Sequence, residues 1–105
     1  MNLTHPTTLV LHALANDISH GFDIIDATGL PSGTVYPILR RLERERLVST
    51  RWEDPEIARE EQRPPRRYYE LSPAGRAILE TARARYPVPA SIRSRVRRLR
   101  LARSS

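Results

Sequence analysis

The 105-residue chain has no cysteine, no lysine and no long apolar run. The lack of cysteine excludes disulfides, thiol chemistry and cysteine-rich zinc sites. The longest unbroken apolar stretches are only a few residues, and no charged N-terminal segment leads into one of them. The sequence therefore predicts neither a signal peptide nor a membrane span, and the expected location is the cytoplasm.

The chain also lacks the residue groups that catalysis and metal binding require. The spacing of its three histidines, His5, His12 and His20, does not match a metal site. No arrangement of serine, histidine and acid, no phosphate-binding loop and no paired carboxylates stand out. We therefore expect a protein that is not an enzyme and that needs no metal and no cofactor.

The positive charge of the chain is carried by arginine alone and is unevenly placed. All 18 basic residues are arginines, and none of them lies in residues 1–30. Residues 31–105 hold these 18 arginines against nine acids, which gives a local charge of +9. A bias towards arginine codons explains arginine in place of lysine, but it does not explain this placement. A basic surface on one side of a protein attracts polyanions, and nucleic acid first.

Three helices are predicted in the first part of the chain. The first is TTLVLHALAND, residues 7–17, whose apolar positions follow Pro6 as a start signal. The second is HGFDIIDATG, residues 20–29, which Gly29 ends as a C-terminal glycine does. A third helix follows after only two residues, and Ser32 is its expected N-cap.

The third helix combines an apolar stripe with a basic outward face. The stripe, at i, i+3, i+4 and i+7, consists of Val35, Ile38, Leu39 and Leu42. The opposite face carries Gly33, Pro37, Arg40 and Arg44. A proline inside a helix costs roughly 3 kcal/mol or more, in part through a clash with the carbonyl four residues back. For Pro37 that carbonyl belongs to Gly33, near the helix start, where we expect the cost to be smaller.

Two strands with a long connection follow the third helix. In residues 47–54 and 66–72, successive side chains fall on opposite faces in the pattern that is typical of a strand. The residues on the expected inner face are Val48, Thr50, Trp52, Tyr69 and Leu71. Residues 55–65 are polar and bounded by prolines, and they predict a loop at the tip of a hairpin. Trp52 is therefore expected in the core under this hairpin.

The C-terminal third is predicted to be helical with one interruption. A fourth helix spans residues 72–86, with Ser72 as N-cap and Pro73 in its first turn. Prolines break it in residues 87–91, and an arginine-rich fifth helix follows at residues 91–103. Its apolar residues at helical spacing are Ile92, Val96 and Leu99. The segment is either a dimer helix that uses these residues or a basic tail that adds nonspecific DNA affinity.

The order α-α-α-β-β-α(-α) predicts a mainly α fold with a small β-hairpin, the winged helix-turn-helix. In a helix-turn-helix a glycine often lies at the bend, and apolar residues pack at fixed offsets around it. With Gly29 at the bend, the inward offsets are occupied by Ile24, Thr28, Leu30, Val35 and Ile38. Four of these five residues are aliphatic, and the methyl group of Thr28 can pack with them.

Four segments occur in order along the chain, namely HGFDI, GTVYPILRRLERERLV, STRWED and RPPRRYYELSPAGR. Together they resemble the PadR family of bacterial transcriptional regulators, over about residues 7–80. The resemblance implies a winged-helix fold, a homodimer and repression through a partly palindromic operator. Residues 1–72 would form the winged helix-turn-helix DNA-binding domain. Residues 73–105 would form a C-terminal helical dimerisation segment with an arginine-rich tail.

The resemblance also places Thr34, Tyr36 and Pro37 on the surface that enters the DNA major groove. Pro37 would offer a rigid apolar surface to a thymine methyl or a sugar, unless the Tyr36-Pro37 pair only shapes the helix. Arg40 is suited to a guanine or a phosphate, and the alternative is an ion pair with Glu43. The expected DNA-contacting residues are Ser32, Thr34, Tyr36, Pro37, Arg40, Arg41, Arg44, Arg63, Arg66 and Arg67.

Acids in the hairpin limit which part of it can approach DNA. Asp54, Glu56, Glu60 and Glu61 repel phosphates, so we expect contact only from the C-terminal limb. The resemblance also shows a departure after the third helix, where the family has a glycine and this chain has Arg46. A left-handed residue with a Cβ costs roughly 1–2 kcal/mol there, unless the helix ends differently.

The expected dimer contacts come from the first and fourth helices. The first helix is too apolar for a helix with one buried side, and the fourth offers further apolar surface. The residues expected at the interface are Leu9, Leu11, Ile78, Leu79, Ala82 and Tyr86. A small-molecule or protein effector is left open.

The sequence thus predicts a small winged-helix repressor that binds DNA in a sequence-specific manner as a homodimer. The alternatives are a winged-helix protein-protein adaptor and a nonspecific nucleic-acid-binding protein. The outward position of Arg40 and Arg44 argues against an adaptor. Thr34 and Tyr36, interleaved with these arginines, argue against a nonspecific binder.

Overall fold

The computed structural model describes residues 2–103 and contains six helices and one antiparallel hairpin in that part of the chain. The elements are α1 (His5–Ala15), α2 (Gly21–Thr28), α3 (Ser32–Arg44), β1 (Val48–Trp52), α4 (Pro55–Glu60), β2 (Arg67–Leu71), α5 (Pro73–Arg85) and α6 (Ala90–Arg103). The predicted winged helix-turn-helix is confirmed. The predicted fourth and fifth helices correspond to α5 and α6.

Hydroxyl side chains and glycine fix several of the helix ends. α1 begins two residues earlier than predicted, because the Thr4 hydroxyl accepts a hydrogen bond from the Thr7 amide at 3.2 Å. α2 ends as predicted at Gly29, whose φ of 74° lies in the left-handed region. Ser72 caps α5, as predicted, by accepting a hydrogen bond from the Gly75 amide at 3.1 Å.

The start of α3 differs from the prediction by one residue. Ser32 is its first helical residue, and Pro31 occupies the cap position with an extended backbone (φ −71°, ψ 156°). The carbonyl of Pro31 accepts hydrogen bonds from the amides of Thr34 and Val35 at 2.9 and 3.0 Å. The predicted N-cap role of Ser32 is therefore wrong. The ring of Pro31 fixes the backbone one residue earlier, without a side-chain cap.

Pro37 lies inside α3, and the helix continues through it to Arg44. Pro37 and Gly33 are both exposed, and apart from the neighbouring helix backbone no atom lies within 4 Å of the position that a Cβ on Gly33 would take. The missing hydrogen bond thus falls on the solvent side of the helix, next to open space. The predicted stripe on the other side is confirmed, since Val35, Ile38, Leu39 and Leu42 are all buried.

The hairpin pairs Val48 with Leu71 at its base and Trp52 with Arg67 towards its tip. The prediction of a loop at residues 55–65 is wrong for its first half, where α4 forms. Pro55 starts this short helix, and the Asp54 carboxylate caps it by accepting a hydrogen bond from the Glu56 amide at 2.9 Å. Because the segment is polar, the sequence predicts a loop there in spite of these two start signals.

The predicted core position of Trp52 is also wrong, because its side chain is 66% exposed. The base of the hairpin rests on the helices through Val48, Tyr69 and Leu71, which are buried as predicted. Trp52 lies on the same face of β1 as Val48, but it is at the opposite end of the strand, beyond the helices that form the core. The Arg67 guanidinium lies 5.8 Å from the centre of its indole ring.

The core is built around α1, which packs against α2, α3, α5 and β2. This central position explains why α1 is apolar on more than one side. The bend after α2 is held by Thr28, whose hydroxyl donates to the Ile24 carbonyl (2.7 Å) and accepts from the Leu30 amide (3.2 Å). The predicted inward offsets at the bend are buried, apart from Leu30, which is half-buried and packed against the core.

Candidate nucleic-acid interface

The outward face of α3 is exposed and basic. Pro37, Arg40 and Arg44 are exposed, together with Ser32 and Gly33 at the start of the helix. Glu43, the alternative partner of Arg40, instead accepts hydrogen bonds from Arg67 (2.7 Å) and Thr50 (3.0 Å). Within the described chain, the side chains of Arg40 and Arg44 form no hydrogen bond or ion pair. Their guanidinium groups therefore remain available to an external anion.

Tyr36 is half-buried and closes the gap between α3 and the start of α2. Its hydroxyl oxygen lies 2.6 Å from the position that a Cβ on Gly21 would take, and two of its ring carbons lie within 2.9 Å of that position. Any side chain at Gly21 would thus displace Tyr36. The sequence gives no sign of this role of Gly21, since His20-Gly21 indicates only the start of a helix there. Thr34 is also half-buried.

Arg41 is directed towards the body of the protein. Its Nη2 donates to the Thr7 hydroxyl on α1 at 3.4 Å, and its Nε is buried without a hydrogen-bond partner among the described residues. Arg41 therefore joins the basic helix α3 to the central helix. Its side chain leaves the outward face, on which Arg40 and Arg44 remain.

Glu53 organises the C-terminal limb of the hairpin. Its carboxylate is 6% exposed and accepts two hydrogen bonds from Arg63, at 2.5 and 2.9 Å. The Arg66 amide and the Tyr68 hydroxyl donate to it at 3.3 and 3.1 Å. The hydrogen bonds from Arg63, followed by those from Arg66 and Tyr68, lower the pKa of Glu53 to about 2. Arg63 is thereby bound within the hairpin.

The three arginines of this limb thus differ in what they contact. Arg67 joins the hairpin to α3, since it donates to Glu43 at 2.7 Å and to Thr50 at 3.1 Å. The side chain of Arg66 forms no hydrogen bond or ion pair within the described chain. Of the arginines predicted in the wing, Arg66 is therefore the one with a free guanidinium. The tip that carries α4 is acidic and exposed, as predicted.

A cavity of about 290 Å³ separates the hairpin from the helix-turn-helix. It is lined in part by His20, Phe22, Tyr36, Arg66 and Tyr69. Phe22 is 68% exposed, and the rings of His20 and Phe22 meet edge to face at 5.5 Å. Burial, followed by the charge of Arg66, lowers the pKa of His20. The cavity is thus lined by aromatic rings and by Arg66, whose guanidinium has no hydrogen bond or ion pair among the described residues.

The residues predicted for dimer contacts are mostly inside the chain's own core. Leu9, Leu11, Leu79 and Ala82 are buried, and only Ile78 and Tyr86 keep accessible surface. The expectation that all six offer apolar surface to a second copy is therefore corrected. α1 and α5 pack on each other within one chain, which uses the apolar faces assigned to the interface.

Within residues 2–103, no three histidine or acidic side chains are arranged to hold a metal ion. None of the helices described is long and apolar enough to cross a membrane.

Comparison with known proteins identifies the family. The family model described as the transcriptional regulator PadR-like family matches residues 10–81. Among solved structures, a PadR-like transcription factor from Bacteroides fragilis is 28% identical, with a TM-score of 0.61 over 74% of this chain and 76% of that one. No curated protein is similar enough in sequence to count as a relative.

Two further structures are similar in fold alone. A PadR family transcription regulator from Clostridium difficile R20291 is 22% identical, with a TM-score of 0.66 over 78% of this chain and 86% of that one. BpsR from Bordetella bronchiseptica, whose DNA binding is regulated by 6-hydroxynicotinic acid, is 23% identical, with a TM-score of 0.64 over 99% of this chain and 77% of that one. With its winged helix-turn-helix and a family match over most of its length, the chain belongs to the PadR-like family of transcriptional regulators.

Proposed function

We propose that this protein is a cytoplasmic repressor that binds a partly palindromic DNA operator as a homodimer. The observation that carries the proposal is the outward face of α3. It directly follows a helix-turn-helix bend and presents Arg40 and Arg44 without protein partners, whereas neighbouring arginines are bound. A recognition helix is used in this position to read the major groove.

The proposed contacts fall into base-reading and backbone-binding groups. Ser32, Thr34, Tyr36 and Pro37 lie in the first half of α3, the half that reaches base edges in a helix-turn-helix. Arg40 follows them one turn later, within reach of a guanine. Arg44 binds a phosphate, because it lies further from the start of α3, and Arg66 binds a phosphate from the hairpin.

The other predicted DNA contacts act by positioning these groups. Arg41 holds α3 against α1 through Thr7, and Arg67 holds the hairpin against α3 through Glu43. Arg63 neutralises Glu53, which would otherwise repel a phosphate at the limb nearest to DNA. This division assigns every arginine of the predicted set either to contact with DNA or to positioning.

The first prediction tests DNA binding directly. Duplexes that bind the protein are selected from a random pool, and the best site is titrated at several salt concentrations. We expect a two-fold site with half-sites one helical turn apart. The logarithm of the affinity should fall by about 0.9 per logarithmic unit of salt for each phosphate neutralised.

Arg40→Ala should weaken binding to this site by roughly 1–3 kcal/mol, because Arg40 reads a base. Arg59→Ala is the matched control, since Arg59 is an exposed arginine at the acidic tip that pairs with Glu56. Equal binding of all duplexes would indicate a nonspecific nucleic-acid-binding protein. A full absence of DNA binding would refute the proposal and favour an adaptor.

A further inference from the structure

The helix α6 lies outside residues 10–81, so membership of the family assigns it no role. The last 18 residues of the chain carry six arginines and no acid. The arginines are Arg93, Arg95, Arg97, Arg98, Arg100 and Arg103. A helix with this charge repels itself and the rest of a basic protein, so its docked position requires a specific cause.

α6 is held on α2 by apolar packing and by an ion pair at its end. Val96 is 1% exposed, and Ile92 and Leu99 pack against the core. Arg103 donates two hydrogen bonds to the Asp23 carboxylate, at 2.9 and 2.6 Å. Charge-assisted pairs with two parallel bonds fix both distance and orientation. α6 is thus a positioned element of the domain and not a free tail.

The position of α6 directs one of its flanks towards the helix-turn-helix bend. With Val96 facing α2, Arg95 and Arg98 lie on one flank, and Arg93 and Arg97 lie on the other. Nη1 of Arg95 is 3.4 Å from the position that a Cβ on Gly29 would take. Arg95 therefore reaches the bend that leads directly into α3.

The opposite flank is exposed, since Arg93 and Arg97 both lie at the surface. Burial lowers the pKa of His12 on α1, followed by the charges of Arg83 and Arg93. On the first flank, Arg95 and Arg98 line a groove together with Asp26. Neither arginine forms a hydrogen bond or ion pair with a described residue, in contrast to Arg100 and Arg103.

We propose that α6 is a second DNA-contacting element, in which Arg95 and Arg98 bind backbone phosphates beside the groove that α3 enters. This inference rests on the proposed DNA-binding function of α3. Phosphate contacts of this kind fix the register and orientation of a protein on the duplex without reading sequence. α6 thereby extends the basic surface across the start of the recognition helix.

Two double variants with the same net charge separate this contact from a general charge effect. Arg95→Gln/Arg98→Gln removes the flank at the bend, and Arg93→Gln/Arg97→Gln removes the other flank. We expect the first variant alone to make the salt dependence of operator binding shallower, by about 1.8 per bound subunit for two phosphates. Equal changes in both variants would overturn the proposal.

A second pair of variants tests whether docking positions the contact. Asp23→Asn and Asp17→Asn each remove one negative charge, but only the first disrupts the pair of hydrogen bonds that Arg103 donates. Asp17 pairs with Arg100 at a longer 3.8 Å and has a left-handed backbone, which asparagine tolerates. We expect Asp23→Asn to weaken binding in spite of the lost negative charge, and Asp17→Asn to leave binding unchanged or tighter.

Similar binding by the two aspartate variants would overturn the docked arrangement. Thermal unfolding of each variant checks that the domain remains folded. If the wild type binds DNA and Arg40→Ala weakens that binding, while the two α6 double variants behave alike, only the role of α6 fails. If the wild type does not bind DNA at all, the proposed function and this inference fail together.

Discussion

Arg46 shows how a single residue can carry a constraint that belongs to the fold. Its φ of 59° is left-handed, and the amides of Arg46 and Leu47 donate to the carbonyls of Glu43 and Leu42 at 3.0 and 2.9 Å. The Ser72 hydroxyl donates to the Arg46 carbonyl at 2.9 Å, which ties the end of α3 to the start of α5. The family resemblance located this position, and the structure confirms that the conformation is one that glycine favours.

Arg46→Gly should therefore stabilise the protein by about 1 kcal/mol, because glycine relieves the contact of Cβ with the backbone. Urea unfolding of wild type and variant measures the difference. Arg44→Gly is the matched control, since it places glycine in the last helical position two residues earlier, where it should cost about 0.8–1 kcal/mol. A loss of stability in Arg46→Gly would show that the arginine side chain contributes more than the backbone strain removes.

At the scale of single elements, the apolar pattern determined what could be predicted. The period of α3 identified every buried residue on its stripe, and Gly29 marked the end of α2. Alternation in β1 gave the correct face for Trp52, but it carries no information on how far the core extends beneath a strand. The short α4 was missed because its start signals, Asp54 and Pro55, lie in a segment without an apolar period.

The hairpin offers a prediction on pH, through Glu53. Its pKa in the folded protein is about 2, below the value of about 4.5 expected in the unfolded chain, because Arg63 and Tyr68 donate to the carboxylate. The group therefore contributes stability above about pH 4.5 and loses this contribution as the pH falls towards 2. Unfolding should become easier over this range, as measured by thermal midpoints from pH 7 to pH 2.

Glu53→Gln should lower the midpoint at pH 7, where Arg63 loses its carboxylate, and should make the profile between pH 4.5 and 2 flatter. Glu60→Gln on the exposed α4 is the control and should follow the wild type. Identical profiles for the two variants would show that the ion pair in the hairpin does not contribute to the acid sensitivity of the fold.

At the scale of the whole molecule, the docking of α6 explains where the charges lie. The first 30 residues contain three aspartates and no arginine. Asp23 and Asp17 pair with Arg103 and Arg100, across 80 or more residues of sequence. Composition revealed the imbalance, and the periodicity predicted the helix. Neither could show that the aspartates of the first 30 residues pair with the arginines of α6, because local sequence does not encode which distant helix a basic helix packs against.

Packing of the helices within one chain also changes the expected dimer surface. Four of the six residues predicted at the interface are enclosed within one chain, because α1 is covered by α5 as well as by α2 and α3. Ile78 in α5 and Tyr86, which directly follows the helix, are half-buried and are the two that remain accessible. If the chain forms the homodimer that a two-fold operator requires, this side of α5 is where we expect the contact.

Sedimentation equilibrium of the full chain should therefore give a mass near twice the 12.1 kDa of one copy. Ile78→Glu should shift the protein towards the monomer, because a carboxylate placed in an apolar interface loses its hydration without gaining a partner. Ala77→Glu, one residue away on the exposed surface of α5, is the matched control and should leave the dimer intact. Thermal unfolding of the diluted variants separates a lost interface from a damaged core, because Ile78 also packs against the core. Operator binding adds a second readout, since a monomer occupies one half-site and loses the affinity that the second recognition helix supplies. A wild-type protein that sediments at 12.1 kDa at every concentration would contradict the homodimer.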